Sequence, residues 1–198
     1  LLIYRDWCYY YLRKCIIIEL ILFNKEYTYK KFREDVVALG TKLIKMLPKN
    51  ARVVVVSETT YDWYVSYMTM LCGAGILVPV DKELPENELE NVINRSRATA
   101  VIYSAKKKDA VKKIENNIPT VKYFIEMDSD NHIVDKHMGF NYLIQEGKEI
   151  LESGDNSIIN DMLKYKNAIY YSEYENNDLI ENNFFTNNQV LKNNIQFL

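Results

Sequence analysis

The chain has 198 residues, with 25 Lys and Arg against 27 Asp and Glu, so its formal net charge is −2. This balance argues against a nucleic-acid-binding protein that works through a broad basic face. The nearest candidate for a membrane segment, residues 15–23, is interrupted by Glu19 and is too short for a transmembrane helix. Three scattered cysteines, Cys8, Cys15 and Cys72, favour neither a disulfide framework nor a zinc site, and we expect a cytoplasmic protein.

The composition divides the chain into three segments. Residues 1–24 form an atypical leader rich in tyrosine and isoleucine. Residues 25–160 contain all six Gly and all four Pro, and alternate apolar runs with periodic segments. Residues 161–198 form an atypical tail with nine Asn. We expect the core in the middle segment, and poor packing of residues 1–14 and 161–198, which offer little periodic apolar surface to offset the entropy of ordering.

The middle segment begins with a predicted helix and a predicted buried strand. Apolar residues recur every three or four positions between Thr28, a suitable N-cap, and Pro48, where the helix should end. They are Phe32, Val36, Leu39, Leu43 and Met46. The run Val53–Val56 shows no polar alternation, which is typical of a strand buried on both faces in a parallel sheet.

Two further helices and a second strand follow. A shared apolar face predicts a helix that stops at Gly73, and we interpret this face as core. Its members are Trp63, Tyr64, Tyr67, Met68 and Leu71. Residues 75–80 predict a second buried strand, with Pro79 near its end. Pro85 suits the first position of a third helix. The buried face of that helix is Leu89, Val92 and Ile93.

The remaining elements continue this alternation. Residues 99–103 and 121–127 predict strands on either side of a short basic helix over residues 106–115. Residues 128–139 predict a polar loop, and residues 141–151 a helix weakened by Gly147. Alternating strands and helices require crossover connections, so the sequence predicts an α/β fold with a mainly parallel sheet covered by helices.

Residue types alone predict no catalytic constellation. The chain contains neither GxGxxG nor GxxxxGK[ST], and the run Gly73–Gly75 precedes a strand, so we interpret it as a structural turn. His132 and His137 lie near three aspartates, but their spacing matches no metal-ligand pattern, and a solvated loop is the preferred interpretation. Those aspartates are Asp128, Asp130 and Asp135. Cys72 is interpreted as a small buried hydrophobe, with a Cys–His nucleophile as the alternative.

One basic cluster stands out against the nearly neutral total charge. It comprises Lys106, Lys107, Lys108, Lys112 and Lys113. Phosphate or acidic lipid would suit these side chains, but a solvated helix face is the interpretation we prefer. We therefore assign no catalytic, cofactor-binding or metal-binding residue, and predict no nucleic-acid partner and no transmembrane segment.

Two stretches nevertheless resemble a known family. Residues 27–32, YTYKKF, are similar to the first core motif of the AMP-forming adenylating enzymes, and residues 71–81, LCGAGILVPVD, are similar to the second. This superfamily includes acyl-CoA synthetases, peptide-synthetase adenylation domains and firefly luciferase. Residues 81–89, DKELPENEL, look closer to bacterial long-chain acyl-CoA synthetases than to peptide-synthetase domains. Both motifs are scaffold motifs and carry no catalytic group.

The resemblance implies that residues 25–160 are the N-terminal part of an AMP-binding domain, a partial subdomain of an adenylate-forming enzyme. The family reaction converts a fatty acid, ATP and CoA into acyl-CoA, AMP and pyrophosphate, with Mg²⁺. The family's phosphate loop, ribose-binding Asp and catalytic Lys have no counterpart in this chain. The resemblance therefore implies a fragment that binds ATP, Mg²⁺ and CoA poorly and is inactive alone.

The two ends leave several interpretations open. Residues 1–24 and 161–198 look unlike the family, which suggests a frameshift or a truncated reading frame at each end, with a divergent but genuine tail as the alternative. The chain is then a fragment of a long-chain acyl-CoA synthetase, a non-catalytic α/β module that binds a partner such as a complementing C-terminal portion, or a pseudogene product. Whether it is an enzyme on its own stays open at this point.

Overall fold

The computed structural model describes residues 19–22, 25–154, 168–169 and 185–186. An antiparallel pair of strands, β1 (Glu19–Leu22) and β2 (Lys25–Thr28), leads directly into helix α1 (Tyr29–Met46). The Thr28 side chain caps α1 by accepting a hydrogen bond from the backbone N–H of Lys31, which confirms the predicted N-cap.

Strands and helices then alternate along the chain. The strands are β3 (Arg52–Val56), β4 (Ile76–Val80), β5 (Ala100–Tyr103), β6 (Tyr123–Glu126) and β7 (His137–Gly139). The helices are α2 (Tyr61–Thr69), α3 (Glu86–Ser96), α4 (Lys108–Ile114) and α5 (Phe140–Glu152). The predicted basic helix is therefore shorter than expected, because 3-10 turns at Ala105–Lys107 and Glu115–Asn117 flank α4.

The sheet has the order β7-β6-β5-β3-β4, and neighbouring strands within this part pair in parallel. Two short strands extend it beyond β4. β8 (Ala168–Ile169) pairs in parallel with β4, and β9 (Phe185–Thr186) pairs antiparallel with β8. The predicted α/β fold with a mainly parallel sheet is confirmed. Poor packing was predicted for residues 1–14 and 161–198. Apart from residues 168–169 and 185–186, these segments lie outside the described residues.

Helices cover both faces of the sheet. In β3, Val53 and Val55 face one core cluster, while Val54 and Val56 face another, and all four are almost fully buried. The first cluster includes apolar residues of α1, α2 and α5, and the second includes those of α3 and α4. This arrangement confirms that the valine run is buried on both faces. Across the described part of the chain, every helix is too short or too polar to span a lipid bilayer.

The predicted loop over residues 128–139 ends in a strand, β7. This strand has only three residues and pairs in parallel with β6, placing Phe124 opposite His137. Met138 is its only large apolar side chain, and it is buried. A single apolar residue gives no period, so the prediction missed this strand.

The last helix, which the sequence predicts to be weakened by Gly147, is continuous in the structure. Gly147 is buried within an unbroken α5, and a Cβ atom built there would lie 1.9 Å from the backbone oxygen of Ala38 in α1. The glycine therefore allows the two helices to approach closely, and packing offsets its low helix propensity.

Two predicted helix ends also differ. Pro85 is the N-cap of α3 rather than its first helical residue. The second helix leaves α-geometry after Thr69 and continues as a wider π-turn, Met70–Ala74, inside which Gly73 has a φ of 112°. That backbone conformation is rarely adopted by other residues, which explains the glycine.

Candidate functional site

The order in which strands are added to the sheet reverses at β3: β4 is added on one side of it, and β5, β6 and β7 are added on the other. The helix that follows β3, α2, lies on one face, while the helix that follows β5, α4, lies on the other. The connections therefore diverge at the carboxyl ends of these two adjacent strands. In open α/β sheets, this topological switch point is where ligands bind.

Four polar residues follow the two strands at the switch point: Ser57 and Glu58 after β3, and Ser104 and Lys106 after β5. The backbone N–H of Ser104 donates to the carbonyl of Val56, which ties the two strand ends together. The hydroxyl of Ser57 donates to the carbonyl oxygen of Glu58 at 2.7 Å. We call these four residues the switch-point cluster.

Glu58 supplies the negative charge of the cluster. Its carboxylate lies 3.6 Å from the Lys106 ammonium, and the side chain is 21% exposed. Burial acts to raise the pKa of the Glu58 carboxyl, but its own backbone N–H, the nearby Ser104 hydroxyl and Lys106 hold that pKa below its ordinary value. Glu58 is therefore a carboxylate at neutral pH and acts as a hydrogen-bond acceptor.

Ser104 has hydrogen-bonding capacity that the described residues do not use. It is only 7% exposed, and its Oγ meets the geometry of a hydrogen bond with no described group, although it lies close enough to Glu58 to favour the charged carboxylate. Buried hydroxyls are normally hydrogen-bonded, and this one retains free acceptor lone pairs.

The next strand end carries a second polar group. Lys108 donates to both oxygens of Glu126, the last residue of β6, at 3.0 and 2.8 Å. Burial, with the charge of Glu126, raises the pKa of the neighbouring Tyr103 to about 12. Tyr103 is therefore protonated at neutral pH and offers no base there.

The five lysines of the basic cluster do not form one cationic patch. Three of them pair with carboxylates: Lys106 with Glu58, Lys108 with Glu126, and Lys113 with Glu86 at 2.7 Å. Lys107 and Lys112 have no partner among the described residues. The lysines therefore lie on a solvated face, as preferred, and carboxylates neutralise the charge of three of the five.

The two predicted histidines have different surroundings. His137 contacts the Glu115 carboxylate at 3.2 Å and stacks on Phe124, with ring centroids 5.0 Å apart. His132 packs edge-on against the Tyr142 ring, at 4.8 Å between centroids. Within residues 27–154, no three His, Cys, Asp or Glu side chains come together as a possible metal site.

The motif residues at the start of α1 and after α2 support the scaffold. Tyr27 stacks on Tyr61, with ring centroids 3.9 Å apart, which fixes β2 against α2. A Cβ atom on Gly75 would lie 2.8 Å from the backbone oxygen of Ala51, so the glycine permits β4 to start close to the preceding loop. Cys72 is half-buried and packs against the core.

The cluster around Glu58 and Ser104 escaped the sequence analysis. A signal was present, because Ser104 comes directly after one run predicted as a buried strand and Glu58 comes two residues after another. The strand order was missing, and without it nothing indicated that these two strand ends are neighbours.

Comparison with known proteins assigns the class. Residues 11–156 match the family model described as AMP-binding enzyme, and the chain belongs to that family. No curated protein matches the chain.

Solved structures share the fold at low sequence identity. The anthranilate CoA ligase AuaEII, solved with anthranoyl-AMP, is 17% identical with a TM-score of 0.64 over 71% of this chain and 27% of its own. The A domain of a carboxylic acid reductase from Segniliparus rugosus, solved with AMP and a carboxylic acid, is 12% identical with a TM-score of 0.56 over 63% and 23%. A protein described as a long-chain-fatty-acid CoA ligase from Rhodopseudomonas palustris is 17% identical with a TM-score of 0.54 over 61% and 30%. The chain therefore spans less than a third of each of these structures.

Proposed function

We propose that this chain is the N-terminal part of an AMP-forming long-chain acyl-CoA synthetase. In that reaction a fatty acid and ATP form an acyl-adenylate and pyrophosphate, and the acyl group then passes to CoA with release of AMP. The observation that carries the proposal is the family match over residues 11–156, together with the DKELPENEL segment that resembles long-chain synthetases. The domain division at residues 25 and 160 and a cytoplasmic location belong to the same proposal.

The described residues do not fit Mg²⁺–ATP. They contain no glycine-rich phosphate loop and no group of three metal-ligating side chains, and Lys106, Lys108 and Lys113 are already paired with carboxylates. We therefore derive no step of adenylate formation from this part of the chain. Its role in the proposed enzyme is to provide the sheet against which a complementing portion, with the phosphate loop, assembles.

Fatty-acid-dependent ATP–pyrophosphate exchange tests this proposal. The chain alone should give no exchange above a blank, because positioned donors for the triphosphate supply most of the rate. The chain mixed with a polypeptide carrying the rest of the AMP-binding domain from a bacterial long-chain synthetase should give exchange. The second polypeptide alone is the blank.

Two further arms separate the parts of the proposal. A chain-length series of fatty acids, with anthranilate for comparison, tests the acid, and preference for anthranilate would contradict the fatty-acid assignment. Absence of exchange in the mixture with every acid would contradict the assignment to a synthetase. Exchange by the chain alone would show that it already contains a phosphate site.

A further inference from the structure

The outward surface of α2 is apolar. The buried residues of this helix are Tyr61, Val65, Ser66 and Thr69. At about 100° per residue, the opposite arc of the helix contains aromatic and apolar side chains only. They are Trp63, Tyr64, Tyr67 and Met68, and Leu71 extends the row into the π-turn. The α2 stripe, as we call these five residues, is predicted as core by the sequence, but the structure leaves each member half-buried.

The single charge of this helix lies outside the stripe. Asp62 is the only charged residue in Tyr61–Ala74, and its carboxylate accepts a hydrogen bond from the backbone N–H of Asp128 at 2.8 Å. Helix α3 has the ordinary arrangement, with an aliphatic core face and with Glu86 and Arg95 exposed to solvent. A helix that is apolar all round is normally buried in the complete protein. The α2 stripe therefore needs a covering surface.

The described contacts cover the stripe only in part. The bond that ties α2 to α1 starts on the buried arc, where Tyr61 donates to Asp35 at 3.0 Å. Within the stripe, Trp63 stacks on Tyr67, with ring centroids 5.1 Å apart, and meets Tyr64 edge-on at 5.2 Å. The three rings hold one another in place and retain apolar surface that is not yet buried. Such preformed aromatic groups are typical anchors of protein–protein interfaces.

We propose that the α2 stripe is the surface on which the complementing portion of the AMP-binding domain docks, through an apolar face of its own. This inference rests on the proposed function. The chain spans 27%, 23% and 30% of three solved structures with this fold, so a whole protein of that kind has ample further surface to cover the stripe. A charged partner group would lose its hydration on the stripe and gain no counter-charge, which selects an apolar partner surface.

Fluorine NMR of a labelled chain tests the proposal with the stripe intact. The chain has two tryptophans, so Trp7→Phe combined with 5-fluorotryptophan labelling leaves Trp63 as the single fluorinated residue. The unlabelled probe is the polypeptide carrying the rest of the AMP-binding domain from a bacterial long-chain synthetase. Its addition should shift the Trp63 resonance saturably, because the indole ring leaves water. The affinity should change less than about twofold between about 0.1 and 0.5 M NaCl, since the stripe bears no charge.

A matched pair of variants locates the docking surface. Tyr67→Ala removes one ring of the stripe, and Tyr142→Ala makes the same change in α5, the other helix packed on α1. Tyr67→Ala should weaken binding of the probe about tenfold or more, measured by calorimetry. Tyr142→Ala should bind the probe like the wild type. Circular dichroism checks that each variant is folded.

Four results would overturn the proposal. They are a complex in which the Trp63 resonance does not move, equal effects of the two tyrosine variants, no complex at all, and a dimer of the chain alone that Tyr67→Ala dissociates. The last result would assign the stripe to a second copy of the chain. A complex that shifts Trp63 but gives no pyrophosphate exchange would contradict the proposed enzyme and leave the docking surface, whereas exchange with an unshifted Trp63 would do the reverse.

Discussion

On one face of the sheet, helices α1, α2 and α5 meet around a buried carboxylate and a close glycine contact. On the other face, α3 and α4 contribute aliphatic side chains to the core and keep their charged groups at the surface. Asp35 of α1 marks the difference. It is 2% exposed, accepts hydrogen bonds from Lys31 at 2.8 Å and Tyr61 at 3.0 Å, and forms an ion pair with Lys148 at 2.9 Å, so that one carboxylate joins three helices.

The contrast shows two ways of fixing a helix against a sheet. On the face with Asp35, the helices pack in one arrangement only. A shift of one helix would break the directional bonds to Asp35 or cause a clash between Gly147 and Ala38. The face with α3 and α4 depends on buried apolar area, which tolerates small shifts and conservative exchanges. Substitutions should therefore have larger effects on the first face.

The largest effect is expected from Gly147→Ala. The new methyl would overlap the backbone of Ala38, and neither helix can move without breaking the Asp35 bonds. We expect a loss of about 3–5 kcal/mol in the free energy of unfolding, measured with urea. Gln145→Ala, exposed on the same helix, is the control and should change stability by less than about 0.5 kcal/mol. A small effect of the glycine change would show that the contact between α1 and α5 is loose.

A smaller loss is expected from Asp35→Asn. The amide keeps the shape, but it cannot accept at both positions and carries no charge for Lys31 and Lys148. Because both lysines reach water, we expect a loss of about 2–3 kcal/mol in the free energy of unfolding at neutral pH. Glu86→Gln, which breaks the exposed pair with Lys113 on the other face, is the comparison and should cause no measurable change. Equal effects of the two changes would remove the contrast between the faces.

The stabilisation by Asp35 should also depend on pH. Burial acts to raise the pKa of Asp35, but hydrogen bonds from Lys31, Lys148 and Tyr61 hold it below its ordinary value. Since the folded-state pKa is the lower one, the stabilisation is complete above the unfolded-state pKa of about 3.9 and is lost as the pH falls through the folded-state pKa. The stability difference between wild type and Asp35→Asn should therefore be constant at neutral pH and shrink as the pH falls below about 4 in urea titrations. A constant difference would mean that packing, not charge, sets the effect.

The smallest effect is expected from Ile114→Val on the second face. One methyl is removed from a buried side chain of α4, and the surrounding aliphatic groups can close over the gap. We expect a loss of about 1 kcal/mol, read from thermal unfolding. Ile144→Val in α5 is the matched change on the first face and should cost more, since its neighbours are held by directional bonds. The reverse order would indicate that the second face is the more rigid one.

The sequence predicted most of the elements because their signals are local. The spacing of Phe32, Val36 and Leu39 defines α1, and the valine run defines β3. Failures occur where the signal is not local. Gly147 is unfavourable for helix formation within its own segment. Its role in allowing close packing is seen only when Ala38 of another helix lies beside it.

The same reasoning explains what was missed in the core and at the candidate site. Asp35 follows Phe32 by three positions and precedes Leu39 by four, so its place on the buried face of α1 was readable from the helical period. Its partners Tyr61 and Lys148 were not, since they belong to other helices. Glu58 and Ser104 similarly needed the strand order β5-β3-β4 before they became neighbours.

The central place of β3 has a consequence for amide hydrogen exchange. The strand has a paired neighbour at each edge and a helix layer on each face, so its N–H groups reach deuterated water only when the whole sheet opens. The exchange rates of Val54 and Val55 therefore measure the global free energy of opening. The three-residue strand β7 lies at one end of the sheet order, and its amides should exchange earlier through partial opening.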